Sequence, residues 1–335
     1  MMTPTATRAF SNPLLDYGPD PWAVCQDEFY YYLHSTATDV TIWKTSDLTQ
    51  LADAERKIVW TPPETGPCAK NIWAPRLHRI DEVWHIYFSA DDERGMGERQ
   101  RMFVLENESV NPMSGSWTLK GELRLPDAKW AIDGTTFVYR EQRYFAWAGW
   151  AGDDNRQRNI YLCRMTNPWT AGDERVALSE PTLPWERYNH DPDPASNRND
   201  IVINEGPTAL IHNDRLFLVY SASGCWTDHY CLGMLTLAAN ANPMKPESWV
   251  KTDQPVFQTS PENGVYAPGH NCFFQSPNGE NWLLYHANPE PGLGCEEKRT
   301  PRMQLVCWLP NGTPDFGVPV ATGVSLTGPG SADGE

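Results

Sequence analysis

NEGPTALIHNDRLFLVYSASG, residues 204–224, holds a turn and two strands within one short segment. Asn-Glu-Gly-Pro interrupts a run of strand-forming residues and places a carboxylate, Glu205, just before the chain turns into a new strand. The polar pair Asn213-Asp214 then separates two apolar strands, as hairpin turns do. A glutamate at such a place is ordinarily a solvated turn residue, so its meaning depends on whether the chain contains similar segments.

Four other segments repeat this pattern of a turn-like start, a strand, a polar turn and an aromatic-rich second strand. They read GPDPWAVCQDEFYYYLHST from Gly18, IWAPRLHRIDEVWHIYFSA from Ile72, AIDGTTFVYREQRYFAWAGW from Ala131 and YAPGHNCFFQSPNGENWLLYHAN from Tyr266. Their predicted turn pairs are Gln26-Asp27, Asp81-Glu82, Glu141-Gln142 and Asn278-Gly279. The five starts lie about 54 to 73 residues apart, which suits four-stranded blades with long loops. The sequence therefore predicts an all-β protein, a five-bladed β-propeller.

The organisation of the chain has one main alternative. A pair of β-sandwich domains would also use many short strands, but no Pro/Gly/Ser-rich linker divides the sequence. We therefore predict that residues 1–335 hold a single propeller domain, of about residues 11–325, between short tails. The best candidate for a helix is SDLTQLADAERKI, where Ser46 or Asp47 would cap a short helix.

Composition and charge narrow the class of partner. Hydrophobic residues make up 40% and charged residues 21% of the chain, which is typical of a soluble globular protein. The 15 Trp residues suit sheet cores and also stacking against sugar rings. Because 43 Asp and Glu oppose 27 Lys and Arg, the net charge of −16 would repel nucleic acid and anionic membranes. We therefore expect a neutral substrate.

Compartment and cysteine chemistry stay open from the sequence. The stretch MMTPTATRAFSNPLLDYG has no apolar core of a secretory signal, and no window reaches the roughly 18 apolar residues of a transmembrane helix. A secreted and a cytoplasmic location are both compatible with this pattern. The 8 Cys lack the CxxC pairs of zinc sites. Cys225 and Cys231 either bridge a short loop or remain free thiols.

The innermost strands of a propeller all start at one end of the central channel, although they are far apart in sequence. The residues at these starts are Asp20, Ala74, Asp133, Glu205 and the pair Gly269-His270. Three carboxylates in one confined place raise each other's pKa. Acid–base glycoside hydrolysis needs a pair of carboxyl groups across the scissile bond, and a third keeps the acid protonated. Each residue alone is an ordinary turn residue, but the shared position indicates a catalytic set.

One short motif per segment, in chain order, resembles glycoside hydrolase family 43. The motifs are DP at Asp20, NIWAP at Asn71, AIDG at Ala131, NEGP at Asn204 and APGHN at Ala267, and the likeness covers about residues 11–325. The resemblance implies an inverting glycosidase that needs no cofactor, with Asp20 as general base, Asp133 as pKa modulator and Glu205 as general acid. Where the family often has Trp-Ala-Pro-Glu this chain has WAPR, and Arg76 would alter the charge near the rim.

Within this family the chain is most similar to exo-acting α-L-arabinofuranosidases. The stretches that carry this likeness are NPLLDYGPDPW from Asn12, AWAGWAGDDNRQRNIYLCRMTNPW from Ala146 and RTPRMQLVCWLPNGTPDFGVP from Arg299. The likeness implies release of terminal arabinose from arabinan, arabino-oligosaccharides or arabinoxylan, which are neutral plant cell-wall carbohydrates, by a monomer. β-D-Xylosidases share the catalytic trio, and a non-catalytic carbohydrate-binding propeller is the alternative of a different class.

Further candidate residues lie beside the five starts. Trp73, Trp22 and Trp150 are candidates to stack on the sugar ring. Arg302 is a candidate donor to a sugar hydroxyl or to a carboxylate. The resemblance also implies that His270 lies on the channel axis near a possible structural Ca2+, although calcium prefers oxygen ligands.

Overall fold

The computed structural model describes residues 8–193 and 196–330. Within these ranges five successive groups of antiparallel strands form the blades. β1 (Ala9–Phe10) precedes blade 1, which consists of β2 (Trp22–Gln26), β3 (Phe29–Leu33), β4 (Val40–Thr45) and β5 (Glu55–Trp60). Blade 2 consists of β6 (Lys70–Ile80), β7 (Val83–Asp91), β8 (Arg101–Asn107) and β9 (Thr118–Glu122). Blade 3 consists of β10 (Ala131–Tyr139), β11 (Gln142–Trp150), β12 (Gln157–Asn167) and β13 (Thr170–Ser179).

The second half of the chain continues the same arrangement. Blade 4 consists of β14 (Val202–His212), β15 (Arg215–Ala222), β16 (Cys231–Leu237) and β17 (Trp249–Lys251). Blade 5 consists of β18 (Tyr266–Gln275), β19 (Asn281–Asn288) and β20 (Thr300–Leu305). Three short strands follow, β21 (Cys307–Trp308), β22 (Pro314–Asp315) and β23 (Leu326–Thr327), and β23 pairs with β1. The predicted five-bladed β-propeller is confirmed.

Helices contribute little to the described part of the chain. The 3-10 helices there are Leu48–Asp53, Pro184–Glu186, Asn197–Asp200, Pro246–Ser248 and Pro261–Asn263. The predicted helix after Ser46 is therefore only partly right, because Asp47 caps a short 3-10 helix and the rest of that segment is β5. Across residues 8–193 and 196–330, no helix has the length and apolar character needed to cross a membrane.

Tight hairpins join the two inner strands of each blade. In blades 1 to 4 both turn residues have positive φ, the geometry that matches the twist of antiparallel strands. These turns are Asp27-Glu28, Asp81-Glu82, Arg140-Glu141 and Asn213-Asp214. Two predicted turn pairs, Gln26-Asp27 and Glu141-Gln142, were thus misplaced by one residue.

A β-bulge marks the start of the innermost strand in blades 2 to 5. In each bulge the first extra residue has a left-handed conformation, and these residues are Ala74, Asp133, Gly206 and His270. Asp20 has the same conformation just ahead of β2. A bulge re-aims the side chain it carries, so this repeated device presents one residue per blade at the same end of the channel.

Apolar side chains pack in four clusters between and within the blades. Aromatic residues fill much of this space, as expected for sheets packed face to face. All eight cysteines are free thiols, so no bridge joins Cys225 to Cys231. Cys231 lies buried in β16, with its thiol 3.9 Å from the Ala222 carbonyl oxygen.

Candidate active site

Asp20 lies at the end of the channel where the innermost strands start. Its Oδ2 accepts a hydrogen bond from Ser35 Oγ at 2.7 Å, and its Oδ1 lies 3.2 Å from the guanidinium of Arg299. His270 Nδ1 lies 3.1 Å from Oδ1, and the Asp20 amide donates to His286 Nδ1 at 3.0 Å. Burial alone would raise the pKa of Asp20, but these four neighbours hold it well below its ordinary value. Asp20 is therefore ionised at neutral pH.

Asp133 occupies the left-handed bulge position of β10 and is only 3% exposed. Its Oδ2 accepts a hydrogen bond from the Gly206 amide at 3.0 Å. Burial, and after it the charge of Glu205, raises the pKa of Asp133 to about 8. The charge of Arg76 opposes this rise without cancelling it. Asp133 therefore keeps a proton at neutral pH, in contrast to Asp20.

Glu205 is held at both of its carboxyl oxygens. Tyr230 donates a hydrogen bond to Oε1 at 2.9 Å, and Arg158 donates one to Oε2 at 3.0 Å. Arg158 reaches this place because β12 pairs in parallel with β14, where Arg158 lies opposite Ile203. The Arg158 guanidinium also packs over the Trp130 ring, 4.7 Å from its centroid. The orientation of the Glu205 carboxyl group is thus fixed by two blades.

The three carboxyl groups meet around His270. Ligand atoms of Asp133, Glu205 and His270 all lie within 4.8 Å of one another, and Asp20 approaches His270 Nδ1 from the other side. The sequence analysis puts Asp133 and Glu205 at equivalent positions of their blades. In the structure Asp133 is the first residue of its bulge, whereas Glu205 directly precedes the bulge of β14, which begins at Gly206. This offset leaves the next amide, that of Gly206, free to hold Asp133.

Arg76 lies against the group formed by Asp133, Glu205 and His270, whose donor atoms are close enough together to hold a metal ion. Arg76 is fully buried, donates to the Pro207 carbonyl oxygen at 2.5 Å and lies 3.3 Å from His270 Nε2. A guanidinium in this place repels a second cation, and Glu205 is already engaged by its own donors. The possible Ca2+ near His270 therefore stays a prediction, whereas the expectation that Arg76 lies near the rim is wrong, because Arg76 is fully buried. Burial lowers the pKa of His270 to about 4, so its ring is neutral at neutral pH.

The three tryptophan candidates occupy different places. Trp22 is buried, donates to the Leu77 carbonyl oxygen and lines a cavity of about 540 Å³ near the hairpin end of the innermost strands, away from Asp133. The predicted stacking role of Trp22 is therefore wrong. Trp73 is half-buried beside the second bulge. Trp150 is half-buried and stacks on Trp130, with ring centroids 5.5 Å apart. Trp150 thus supports the ring under Arg158.

Arg299, and not Arg302, is the arginine of the stretch RTPRMQ that reaches the site. Arg302 is fully buried in β20, where it donates to Thr300 Oγ1 and Thr322 Oγ1. Arg299 directly precedes β20 and contacts Asp20. Because a strand rises about 3.3 Å per residue, the three-residue difference places Arg302 about 10 Å farther along. The predicted role of Arg302 is therefore corrected in favour of Arg299.

Sequence reasoning missed most of the groups that hold the carboxylates. His286 lies in β19 opposite Gly269, and Ser35 lies two residues after β3, where its amide donates to the carbonyl oxygen of Pro19, next to Asp20. The hairpin alignment could have identified both. Arg158 and Tyr230 come from the start of β12 and from the segment before β16. Neither has a motif of its own, since each depends on how neighbouring segments pack.

Comparisons with known proteins agree with this fold and site. The chain matches the family described as "Glycosyl hydrolases family 43" over residues 10–314. An "Extracellular exo-alpha-(1->5)-L-arabinofuranosidase" of Streptomyces avermitilis is 37% identical over 94% of this chain and 65% of the relative. "Alpha-L-arabinofuranosidase 43" of Humicola insolens is 36% identical over 94% of this chain and 64% of the relative. The crystal structure of an α-L-arabinofuranosidase from Lactobacillus brevis, 32% identical, matches with a TM-score of 0.85 over 94% of this chain and 98% of that one.

A β-propeller with buried carboxyl groups at one end of its channel is the architecture of one class of glycoside hydrolases. The chain belongs to glycoside hydrolase family 43. It spans 65% and 64% of the lengths of the two curated relatives.

Proposed function

We propose that the protein is an inverting exo-α-L-arabinofuranosidase that consists of one catalytic propeller domain and acts as a monomer. Its substrates are arabinan, arabino-oligosaccharides or arabinoxylan, from which it releases terminal arabinofuranose without a cofactor. The names of the relatives support this substrate class, and the word extracellular in one of them supports a secreted location. The observation that carries the proposal is the meeting of three carboxyl groups in unequal electrostatic surroundings.

Asp20 is the general base in this proposal. Its low pKa keeps it ionised, and Arg299 and Ser35 hold one oxygen each in position. An ionised carboxylate fixed in this way takes a proton from a water molecule as that water attacks the anomeric carbon. The same charge stabilises the positive character that develops on the sugar ring in the transition state.

Glu205 is the general acid, and Asp133 is its modulator. Tyr230 and Arg158 fix the direction in which the Glu205 carboxyl group meets the leaving oxygen. Donor atoms of Asp133 and Glu205 lie within 4.8 Å of each other, and this pair keeps a proton near neutral pH that Glu205 passes to the leaving oxygen. A proton held in the pocket is what departure of a sugar alkoxide requires, since that oxygen is a poor leaving group unless it is protonated.

Release of nitrophenol from nitrophenyl α-L-arabinofuranoside, with the β-D-xyloside as comparison, tests this proposal. We expect turnover of the arabinofuranoside alone, with a loss of at least about 100-fold in Asp20→Ala. Asp81→Asn, at an exposed hairpin turn, is the control and keeps full activity. Preferred turnover of the xyloside would make the protein a xylosidase. Binding of arabino-oligosaccharides without released sugar would make it a binding module.

A further inference from the structure

Two cysteines lie beside the site without taking part in it. Cys225 lies in the segment 223–230, between β15 and β16, and Cys295 lies in the segment 289–299, between β19 and β20. The two thiols hydrogen-bond to each other, although they belong to neighbouring blades. Both residues are half-buried. Small oxidants can therefore reach them more readily than the buried cysteines of the blade cores.

Several contacts besides the thiols hold the two segments together. The Gly292 amide donates to the Asp228 carboxylate at 2.9 and 3.1 Å. A Cβ added at Gly294 would lie only 3.6 Å from Trp226 Cα, so the two backbones run side by side next to the cysteines. A disulfide needs Cα atoms about 4.4–6.8 Å apart, and backbones that run this close together are compatible with such a spacing.

The surroundings of the two thiols differ in a way that suits disulfide exchange. The hydrogen bond from Cys225 lowers the pKa of Cys295, burial opposes this effect, and the charge of Arg299 adds to the lowering. The hydrogen bond with Cys295, together with burial, raises the pKa of Cys225. Exchange proceeds by attack of a thiolate on a disulfide, so Cys295 is the attacking residue and Cys225 the resolving one.

We propose that Cys225 and Cys295 form a reversible disulfide that joins segments 223–230 and 289–299 beside the active site. The Cys295 thiolate attacks an external disulfide such as oxidised glutathione and releases one thiolate, forming a mixed disulfide. Cys225 then loses its proton and attacks the Cys295 sulfur, which releases the second external thiolate. The two protein thiols lose two protons and two electrons, and the external disulfide becomes two thiols.

This cross-link connects the residues that position the acid and the base. Segment 223–230 contains Tyr230, which donates to Glu205, and segment 289–299 ends with Arg299, which contacts Asp20. Joining the segments restricts their separation in the unfolded chain and their movement in the folded one. We expect the oxidised protein to melt about 5 °C higher than the reduced protein.

Peptide mapping and thermal melting of the folded full chain test this inference. After oxidised glutathione and alkylation of remaining thiols, we expect a peptide pair linked through Cys225 and Cys295. The rise in Tm should disappear in Cys225→Ser and in Cys295→Ser. Cys307→Ser, at an exposed position outside both segments, is the matched control and should keep the rise.

The outcomes separate this inference from the proposed function, because neither measurement uses a substrate. A Cys225–Cys231 peptide, no linked peptide, or an equal Tm rise in Cys225→Ser would overturn the disulfide. Presence of the linked peptide in a protein that hydrolyses no arabinofuranoside would overturn the proposed function and leave the disulfide standing.

Discussion

The buried carboxyl group of Asp133, which the proposed reaction needs, lowers the stability of the folded protein as the pH rises. A carboxyl group with a raised pKa binds its proton more tightly in the folded chain than in the unfolded chain. Titration of Asp133 therefore leaves the free energy of unfolding unchanged below its pKa in the unfolded chain, about 4. It lowers that free energy as the pH rises from there toward its pKa in the folded chain, about 8. Asp20 acts in the opposite direction, because its lowered pKa favours the folded state once the pH exceeds its unfolded value.

The substitution Asp133→Asn should therefore stabilise the protein increasingly as the pH rises. We expect its Tm to exceed that of the parent by a margin that grows from pH 4 to pH 8. The corresponding difference in unfolding free energy should reach on the order of a few kcal/mol at pH 8. Thermal melts at one-unit pH steps measure this margin. Asp81→Asn should show no such trend. A margin that is constant with pH would mean that Asp133 is ionised throughout.

The substitution Glu205→Ala should discriminate between leaving groups. Hydrolysis of arabino-oligosaccharides should fall by about 100-fold or more, because their leaving oxygen needs protonation. An aryl arabinofuranoside with a strongly acidic phenol should lose less than about tenfold, since it departs without a proton. Steady-state kcat/KM values for the two substrates give the comparison, with the exposed Glu262→Ala as control. Equal losses on both substrates would remove Glu205 from the acid role.

The buried guanidinium of Arg76 opposes the binding of a divalent cation beside His270. Its buried guanidinium already lies beside His270 and supplies a fixed positive charge. We therefore expect dialysis against a chelator to leave both the Tm and the kcat unchanged. A drop in Tm that calcium restores would show that a cation binds despite Arg76.

At the level of the strands, the bulges decide where each side chain points, and this was the hardest feature to predict. The five hairpins were visible in the sequence, because polar turn pairs between apolar runs identify them. A one-residue shift in strand register produces no pattern in the sequence. The sequence therefore did not predict that Glu205 directly precedes its bulge whereas Asp133 begins one. The role predicted for Arg302 belongs to Arg299, because the residue just ahead of β20 contacts Asp20 and no motif marks that position. Arg158 and Tyr230 depend on packing between segments, which no local pattern records.

The bulge of β18 also positions the acid through a close contact. A Cβ at Gly269 would overlap the Tyr230 ring, whose hydroxyl group donates to Glu205. We therefore expect Gly269→Ala to displace Tyr230 and to lower kcat by at least about tenfold, in the range of one lost catalytic contact. Gly152→Ala, which meets nothing within 4 Å, should leave kcat unchanged. Circular dichroism would show that both variants fold, and full activity of Gly269→Ala would contradict the positioning role of Tyr230.

On the scale of the whole molecule, the net charge should have little effect on the binding of a neutral substrate. The net charge of −16 would steer cations toward the protein and repel polyanions, but it exerts little long-range force on a neutral glycan. We expect kcat/KM for a neutral arabino-oligosaccharide to change less than about twofold between 0.02 and 0.3 M salt. A steep salt dependence would point to a charged substrate.

Ala74 shows what the repeated bulge offers beyond the present reaction. It has the same left-handed backbone as Asp133 and His270, yet its side chain is a single methyl group. Its amide donates to Ser35, so the backbone is held in place without help from that methyl group. At this position the blade thus supplies the support, and the residue supplies only its side chain. Natural selection can therefore alter the reaction one residue at a time, on a scaffold whose strands need no rebuilding.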